Sequence, residues 1–236
     1  MPVQPRAMAM HQANYLPWLG YFFKMARVDV FVYLDAVQYP RGRTFAARNE
    51  IKTPQGRAQL TVPVSRSGSH DGKTFYREVV FADHKWPAKH LKALELNYRK
   101  STYFDEVFPL LRKHIIGATT LVELNLSIIE EVAEYLQIAS QRVRMSELGS
   151  DFGNKTQLIV DLCKATDASV YLSGTGGGHE YNDEEMLKRN GIELRYSDFT
   201  YPRYPQLWGP FEPRLSIVDA LFNLGRDTRR LIELPV

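Results

Sequence analysis

Three short segments gather side chains able to bind or move charge. The first is HQANYLPWLGYFFK, residues 11–24. His11, Gln12, Asn14, Tyr15 and Trp18 all carry hydrogen-bonding atoms, and Gly20 permits close backbone approach. An imidazole is tuned for proton transfer near neutral pH, so His11 is a candidate general acid or base, or a group that steadies developing negative charge. Lys24 ends the segment as a second candidate catalytic group. Asn14, Tyr15 and Tyr21 would orient a substrate, with Gln12 and Trp18 beside them. Core packing is the competing role for Trp18 and Phe22, and a satisfied, half-buried ring the competing role for His11.

The second segment is LDAVQYPRGRTFAARNEIK, residues 34–52. Asp35 is a third candidate catalytic group, with turn capping as the alternative, and Gln38 and Asn49 are candidate substrate contacts. Between Arg41 and Arg57, five basic residues (Arg41, Arg43, Arg48, Lys52 and Arg57) face only Glu50. Such a cluster suits an anion, and Arg43, Arg48 and Lys52 are the expected phosphate or carboxylate ligands. A solvated basic face is the bland alternative.

The third segment is LSGTGGGHEYND, residues 172–183. Backbone N–H groups of a Gly-rich loop between strand and helix can cradle an anion, which nominates Ser173, Gly174, Gly176 and Gly177. Tyr181 and Asp183 are expected to touch substrate, with His179 as a further member. No Gly-Lys-Ser/Thr follows, so the loop is not a Walker A motif, and it lacks the spacing of a dinucleotide fingerprint. The chain has no Gly-x-Ser-x-Gly elbow, no HExxH and no carboxylate pair. Cys163 lies on an apolar helix face and reads as core, not as a nucleophile. No metal ligand set is nominated.

These segments need elements to hold them. Ala7–His11 is a short apolar run ending in a polar loop, and Trp18–Arg27 has helical spacing with Pro17 just before it. Val28–Leu34 is apolar on both alternate sets, the pattern of a strand covered on both faces of a parallel sheet. A β-α-β unit results, so His11 and Asp35 are expected to share the rim at the carboxyl ends of adjacent strands, where open parallel sheets bind ligands. Gln59–Val64 and Tyr76–Phe81 read as further strands, the first pushed toward an edge by Pro63. Ser65–Lys73 reads as a flexible polar loop. Pro87–Asn97, Phe104–Ile116 and Thr120–Gln137 read as amphipathic helices. Beyond them come a helix at Thr156–Ala165, a strand at Ser169–Leu172, a helix at Asp183–Arg189, a strand at Ile192–Ser197 and a helix at Leu215–Asn223 stopped by Gly225. The fold expected is α/β, a largely parallel sheet flanked by helices, in one domain spanning 1–236 with a helical subdomain about 85–140.

Composition limits the functional classes. The chain has 236 residues, 44% hydrophobic and 24% charged, which excludes a disordered or fibrous chain. A single cysteine excludes an internal disulfide and a Cys-rich zinc site. No run approaches the ~20 apolar residues of a membrane span, and the first residues lack a signal-peptide core, so a cytoplasmic location is expected. The net charge of +3 hides an asymmetry: residues 1–118 hold 18 basic and 9 acidic residues, and 119–236 hold 12 and 18.

With these segments in order, the sequence resembles the WbqC-like protein family. The likeness rests on HQANYLPWLGYFFK, on LDAVQY followed by RxxxxRNEIK from Arg43 to Lys52, and on the Trp86, Lys89, His90 and Tyr98 pattern. YLSGTGGGHEYND and LSIVDALFNLG complete it, covering almost the whole chain. Ala13 departs from the proline that relatives usually carry. The resemblance implies a role in O-antigen-type surface-polysaccharide biosynthesis, the attachment of glycine or a similar acyl group to an amino sugar. The expected partner is a small molecule such as a nucleotide-linked amino sugar; the oligomeric state is left open.

The opening β-α-β block is also similar to that of nucleotidylyltransferase-like enzymes, including pantothenate synthetase, although their His-x-Gly-His spacing is absent. That similarity implies ATP with Mg²⁺ as one option for a cofactor, in an adenylate-forming ligase. A nucleic-acid-binding or scaffold module using the basic half is the third reading. The acidic second half disfavours it, and it requires binding that weakens steeply with salt.

Overall fold

The computed structural model describes residues 5–40, 42, 44–65, 74–174 and 182–233. The elements run in chain order. β1 (Ala7–His11), α1 (Leu19–Met25) and β2 (Val30–Tyr33) are followed by β3 (Arg48–Thr53), β4 (Gly56–Thr61), β5 (Val64–Ser65) and β6 (Val80–Phe81). Three long helices follow, α2 (Trp86–Tyr98), α3 (Phe104–Gly117) and α4 (Leu121–Tyr135). Then come β7 (Gln141–Arg144), α5 (Met145–Leu148), α6 (Thr156–Ala165) and β8 (Val170–Ser173). Helix α7 (Glu184–Arg189), β9 (Glu193–Tyr196), α8 (Ile217–Leu224) and α9 (Thr228–Glu233) complete the described chain.

The main sheet has five strands in the order β7-β2-β1-β8-β9, and every pair is parallel. The expected α/β architecture with a parallel sheet is what the chain forms. Alternation along β2 assigns each face. Val30 and Val32 point into one apolar cluster with Met8, Ile159 and Leu162 of α6, Tyr171 and Leu187. Phe31 and Tyr33 point into the other, with Ala9, Phe22, and side chains of all three long helices such as Leu94, Leu111 and Leu124. Both sets are buried because helices cover both faces, which is why this strand reads as a continuous apolar run.

Several boundaries differ from expectation. Tyr76–Glu78 is a 3-10 turn, and only Val80–Phe81 after it is strand. Gln59–Val64 divides at Pro63 into the ends of β4 and β5, neither of which joins the main sheet. The basic stretch from Arg48 is one arm of an antiparallel hairpin, with Arg48 opposite Thr61 and Lys52 opposite Arg57. β7, sequence QRVR, is a polar edge strand whose composition hides it. Most of the polar loop Ser65–Lys73, from residue 66 on, lies outside the described residues.

Residues 197–216 cross the molecule without regular structure, fastened at intervals. Phe199 packs on Phe23 with ring centroids 4.9 Å apart. Tyr204 donates to Asp219 at 2.9 Å, Trp208 Nε1 to the Asn97 carbonyl at 2.8 Å, and Lys52 Nζ to Gln206 at 3.0 Å. Phe199 also explains Gly20: a Cβ there would lie 2.8 Å from its ring and 3.0 Å from Trp18 Nε1.

Candidate functional site

Counting only its own strands, the sheet has the order 3-2-1-4-5. The direction of winding therefore reverses between β1 and β8, the place where open α/β sheets form a ligand crevice at the strands' carboxyl ends. At this place the pairing of the two strands stops short of their carboxyl ends. β1 pairs with β8 only at Ala7–Val170 and Met8–Tyr171, although both strands continue, to His11 and Ser173. The carbonyls of Ala7 and His11 accept from the β2 side, and that of Arg6 from Val170. By alternation the Met10 carbonyl faces β8, where Gly174 would be its next donor in an unbroken ladder. Lys24 Nζ donates to it instead, at 2.9 Å.

Lys24 is buried, and no carboxylate pairs with it among the described residues. Burial pulls its pKa from 10.5 to about 8. A shift of that size means that holding the charge there costs roughly 3 kcal/mol relative to water. An anion in the crevice would relieve this. A cavity at the far side of β2, lined by Tyr33, Glu130, Arg142, Arg144 and Glu147, makes no such demand. Its Arg142 pairs with Glu130 at 2.7 Å and its Arg144 with Glu123 at 2.8 Å.

His11 lies at the end of β1, half-buried. Its ring meets Tyr21 at 4.9 Å and, edge-on, Trp18 at 5.7 Å between centroids. Nδ1 is 3.0 Å from the Gln12 carbonyl. A carbonyl can only accept, so this contact places the proton on Nδ1 and leaves Nε2 with a free lone pair. Burial, with the Lys24 charge second, pushes the His11 pKa down to about 3, so the ring is neutral at physiological pH. The geometry favours an acceptor, receiving a hydrogen bond at Nε2.

The loop between β1 and α1 is held from several sides. Tyr15 donates to His90 Nδ1 at 2.8 Å, and His90 Nε2 donates to the Thr61 carbonyl at 3.2 Å. Asn49 donates to the Leu16 carbonyl at 2.6 Å, fixing a residue with φ +45° that a leucine seldom adopts. Asn125 donates to the Ala13 and Ala46 carbonyls at 2.8 and 2.6 Å, and Tyr76 also donates to Ala13. Tyr15 and Asn49 thus position the loop and do not face a ligand. Tyr21 supports the His11 ring, while its own hydroxyl is buried without a partner. Asn14 is buried, and among the described residues no hydrogen bond engages its side chain, so its amide is a candidate ligand contact. Gln12 and Trp18 are half-buried beside it.

Other expected residues are placed elsewhere. Asp35 does not join His11: its two oxygens accept from Ser146 N at 3.0 Å and Ser146 Oγ at 2.6 Å, on the β7 side of β2. Capping, the alternative reading, is what its geometry serves. Gln38 is exposed and pairs through its backbone with Phe75. Lys52 is buried, its ammonium taken by Gln206 and the Pro210 carbonyl, so it is not an anion ligand. Arg57 is neutralised by Glu50 and Glu212 at 3.1 and 3.0 Å. Arg48 is half-buried at the start of β3 and forms no ion pair among the described residues. Ser173 ends β8 and its Oγ accepts from Asn182 at 3.0 Å. Asp183 caps α7 by accepting from Met186 N at 2.9 Å. Gly174 follows Ser173 at the crevice, whereas Arg43, Gly176, Gly177, His179 and Tyr181 lie outside the described residues.

Sequence reasoning passed over Tyr76 and Asn125 as loop anchors and Ser146 as the partner of Asp35. The Trp86, Lys89, His90 and Tyr98 pattern entered only as part of the family likeness, and the contact of His90 with Tyr15 was not foreseen. Among the described residues no helix is long and apolar enough to cross a membrane.

The model of the WbqC-like protein family matches residues 12–231. The uncharacterized protein Rv1507c of Mycobacterium tuberculosis (strain ATCC 25618 / H37Rv) is 35% identical over 225 residues, covering 94% of this chain and 95% of that protein. With the family model spanning nearly all of the chain, this protein belongs to the WbqC-like protein family.

Proposed function

We propose that this chain is an enzyme whose β1–β8 crevice binds the phosphate or carboxylate of a small-molecule substrate. In this reading it transfers or ligates a small acyl or aminoacyl group, such as glycine, to the amine of a nucleotide-linked sugar in surface-polysaccharide synthesis. The carrying observation is Lys24, a buried cation with no acidic partner, held where β1 and β8 part. Gly174 adds a backbone donor at the same edge, and Asn14 an unengaged amide. His11 Nε2 would accept a hydrogen bond from the attacking amine and orient it toward the acyl carbon, while the donor's activating group leaves with the acyl bond electrons. The acyl donor is either preactivated or activated by Mg-ATP within the same site, with one domain over 1–236 carrying both.

Lys52 and Arg57 are spent on internal partners, which weakens a nucleic-acid reading of the basic hairpin. The test is calorimetric titration of Mg-ATP and of inorganic pyrophosphate into the wild type and Lys24→Met. Binding lost in the variant supports an anion at Lys24. Nucleotide binding followed by pyrophosphate release with an acyl acid supports an adenylating ligase. Pyrophosphate or nucleotide bound equally by both proteins would sink the assignment of Lys24.

A further inference from the structure

Phe45 is 56% exposed, the most exposed large apolar side chain among the described residues. Slack does not explain it. The turn from Thr44 to Ala47 is pinned on every residue: Ala46 N donates to Thr44 Oγ1 at 3.2 Å and Tyr15 N to the Phe45 carbonyl at 3.0 Å. Asn125 donates to the Ala46 carbonyl at 2.6 Å, and Val62 N to the Ala47 carbonyl at 2.8 Å. A rigid backbone therefore holds an aromatic ring in water. That ring touches Trp18 at 5.4 Å between centroids, and Trp18 touches His11 at 5.7 Å. An aromatic path leads from the crevice to the solvent.

We propose that Phe45, with Trp18 behind it, is the stacking platform for the base of a nucleotide-bearing substrate. This rests on the anion reading above and goes beyond it by naming the group at the outer end of the ligand. An aromatic face stacks any base, because every base presents a π-face. A platform already fixed by its backbone loses little freedom when the base arrives. The phosphates would lie inward toward Lys24 and Gly174, and the base outward on Phe45.

The experiment compares the wild type with Phe45→Ala and Phe45→Trp, titrating ADP, UDP and inorganic pyrophosphate by calorimetry. Base stacking lost on alanine substitution corresponds to roughly tenfold or greater weakening of nucleotide binding. Pyrophosphate binding should be unchanged in Phe45→Ala, and Phe45→Trp should bind nucleotide as the wild type does. Because Phe45 is exposed, its truncation leaves the core intact, and circular dichroism of the variant checks this. Nucleotide affinity within twofold of wild type in Phe45→Ala overturns the stacking and leaves the anion site standing. Pyrophosphate bound by the wild type with no tighter binding of any nucleotide overturns it too. If neither ligand binds the wild type, the anion reading fails and the stacking fails with it.

Discussion

Lys24 closes on the carbonyl of Met10 at 2.9 Å, the acceptor that faces β8 at the point where the two central strands of the sheet stop pairing. A helix side chain has replaced a rung of the ladder. The sheet thereby holds a cation at its switch point with the ammonium only partly satisfied.

Replacing Lys24 by methionine tests what that cation is for. The change removes a buried charge that costs roughly 3 kcal/mol to hold, and leaves one carbonyl unmet at about 1–3 kcal/mol. The melting temperature should stay within a few degrees of wild type or rise, while anion binding is lost. A drop beyond about 8 °C would mean that Lys24 serves the fold first.

Anion binding should also draw in protons. With a free pKa of about 8, Lys24 is half-protonated at pH 8, and a bound anion raises its affinity for the proton. Titrations at pH 8 in buffers of different ionisation enthalpy should show uptake of roughly half a proton per ligand. Equal heats in all buffers would separate Lys24 from the ligand.

Acid should unfold the protein through its neutral histidines. Burial lowers His11 to about 3 and His90 to about 4, against an ordinary 6.5. The unfolded chain takes up protons near pH 6.5 and the folded chain does not. Stability is therefore complete above pH 6.5 and falls as pH drops toward 4, by up to about 1.4 kcal/mol per unit for each histidine. Urea unfolding at several pH values should show this, with a shallower slope in His90→Gln. An unchanged slope in that variant would assign the acid sensitivity elsewhere.

Asp35→Asn separates capping from catalysis. Both carboxylate oxygens hold Ser146, so the variant should lose about 1–2 kcal/mol of stability and bind ligand as before. Loss of binding without loss of stability would return Asp35 to the site.

Gly20→Ala should lose about 1–3 kcal/mol, since the new methyl group meets the Phe199 ring and the Trp18 indole. Ligand affinity should fall with it as Trp18 is displaced. A variant as stable as wild type would show that the 197–216 segment yields readily.

Much of the fold was legible because local pattern and environment coincide. Val30–Tyr33 is apolar on both alternate sets because both faces of β2 are covered, and α6 falls at Thr156–Ala165 as its spacing predicts. For the same reason His11 and Ser173 were legible as strand-end residues of the candidate site. The basic run misled because charge alone says nothing of distant partners. Lys52 and Arg57 look free in sequence, yet Gln206 and Glu212 satisfy them from more than 150 residues away. Asp35 misled by position: it leaves β2 on the expected rim but turns toward Ser146, behind a strand too polar to be read as one.

Those same long-range fastenings bear on how the chain is made. While the ribosome is still extending the polypeptide, the β3–β4 hairpin emerges with Lys52 and Arg57 lacking Gln206, Pro210 and Glu212. At about 5–20 residues per second, the nascent hairpin waits roughly 10–30 s for them. Early in that interval, before the acidic residues from Glu123 onward are made, the first half carries its full basic excess beside the polyanionic RNA of the machine that is synthesising it. The acidic second half completes the structure and also releases the first from that surroundings' pull.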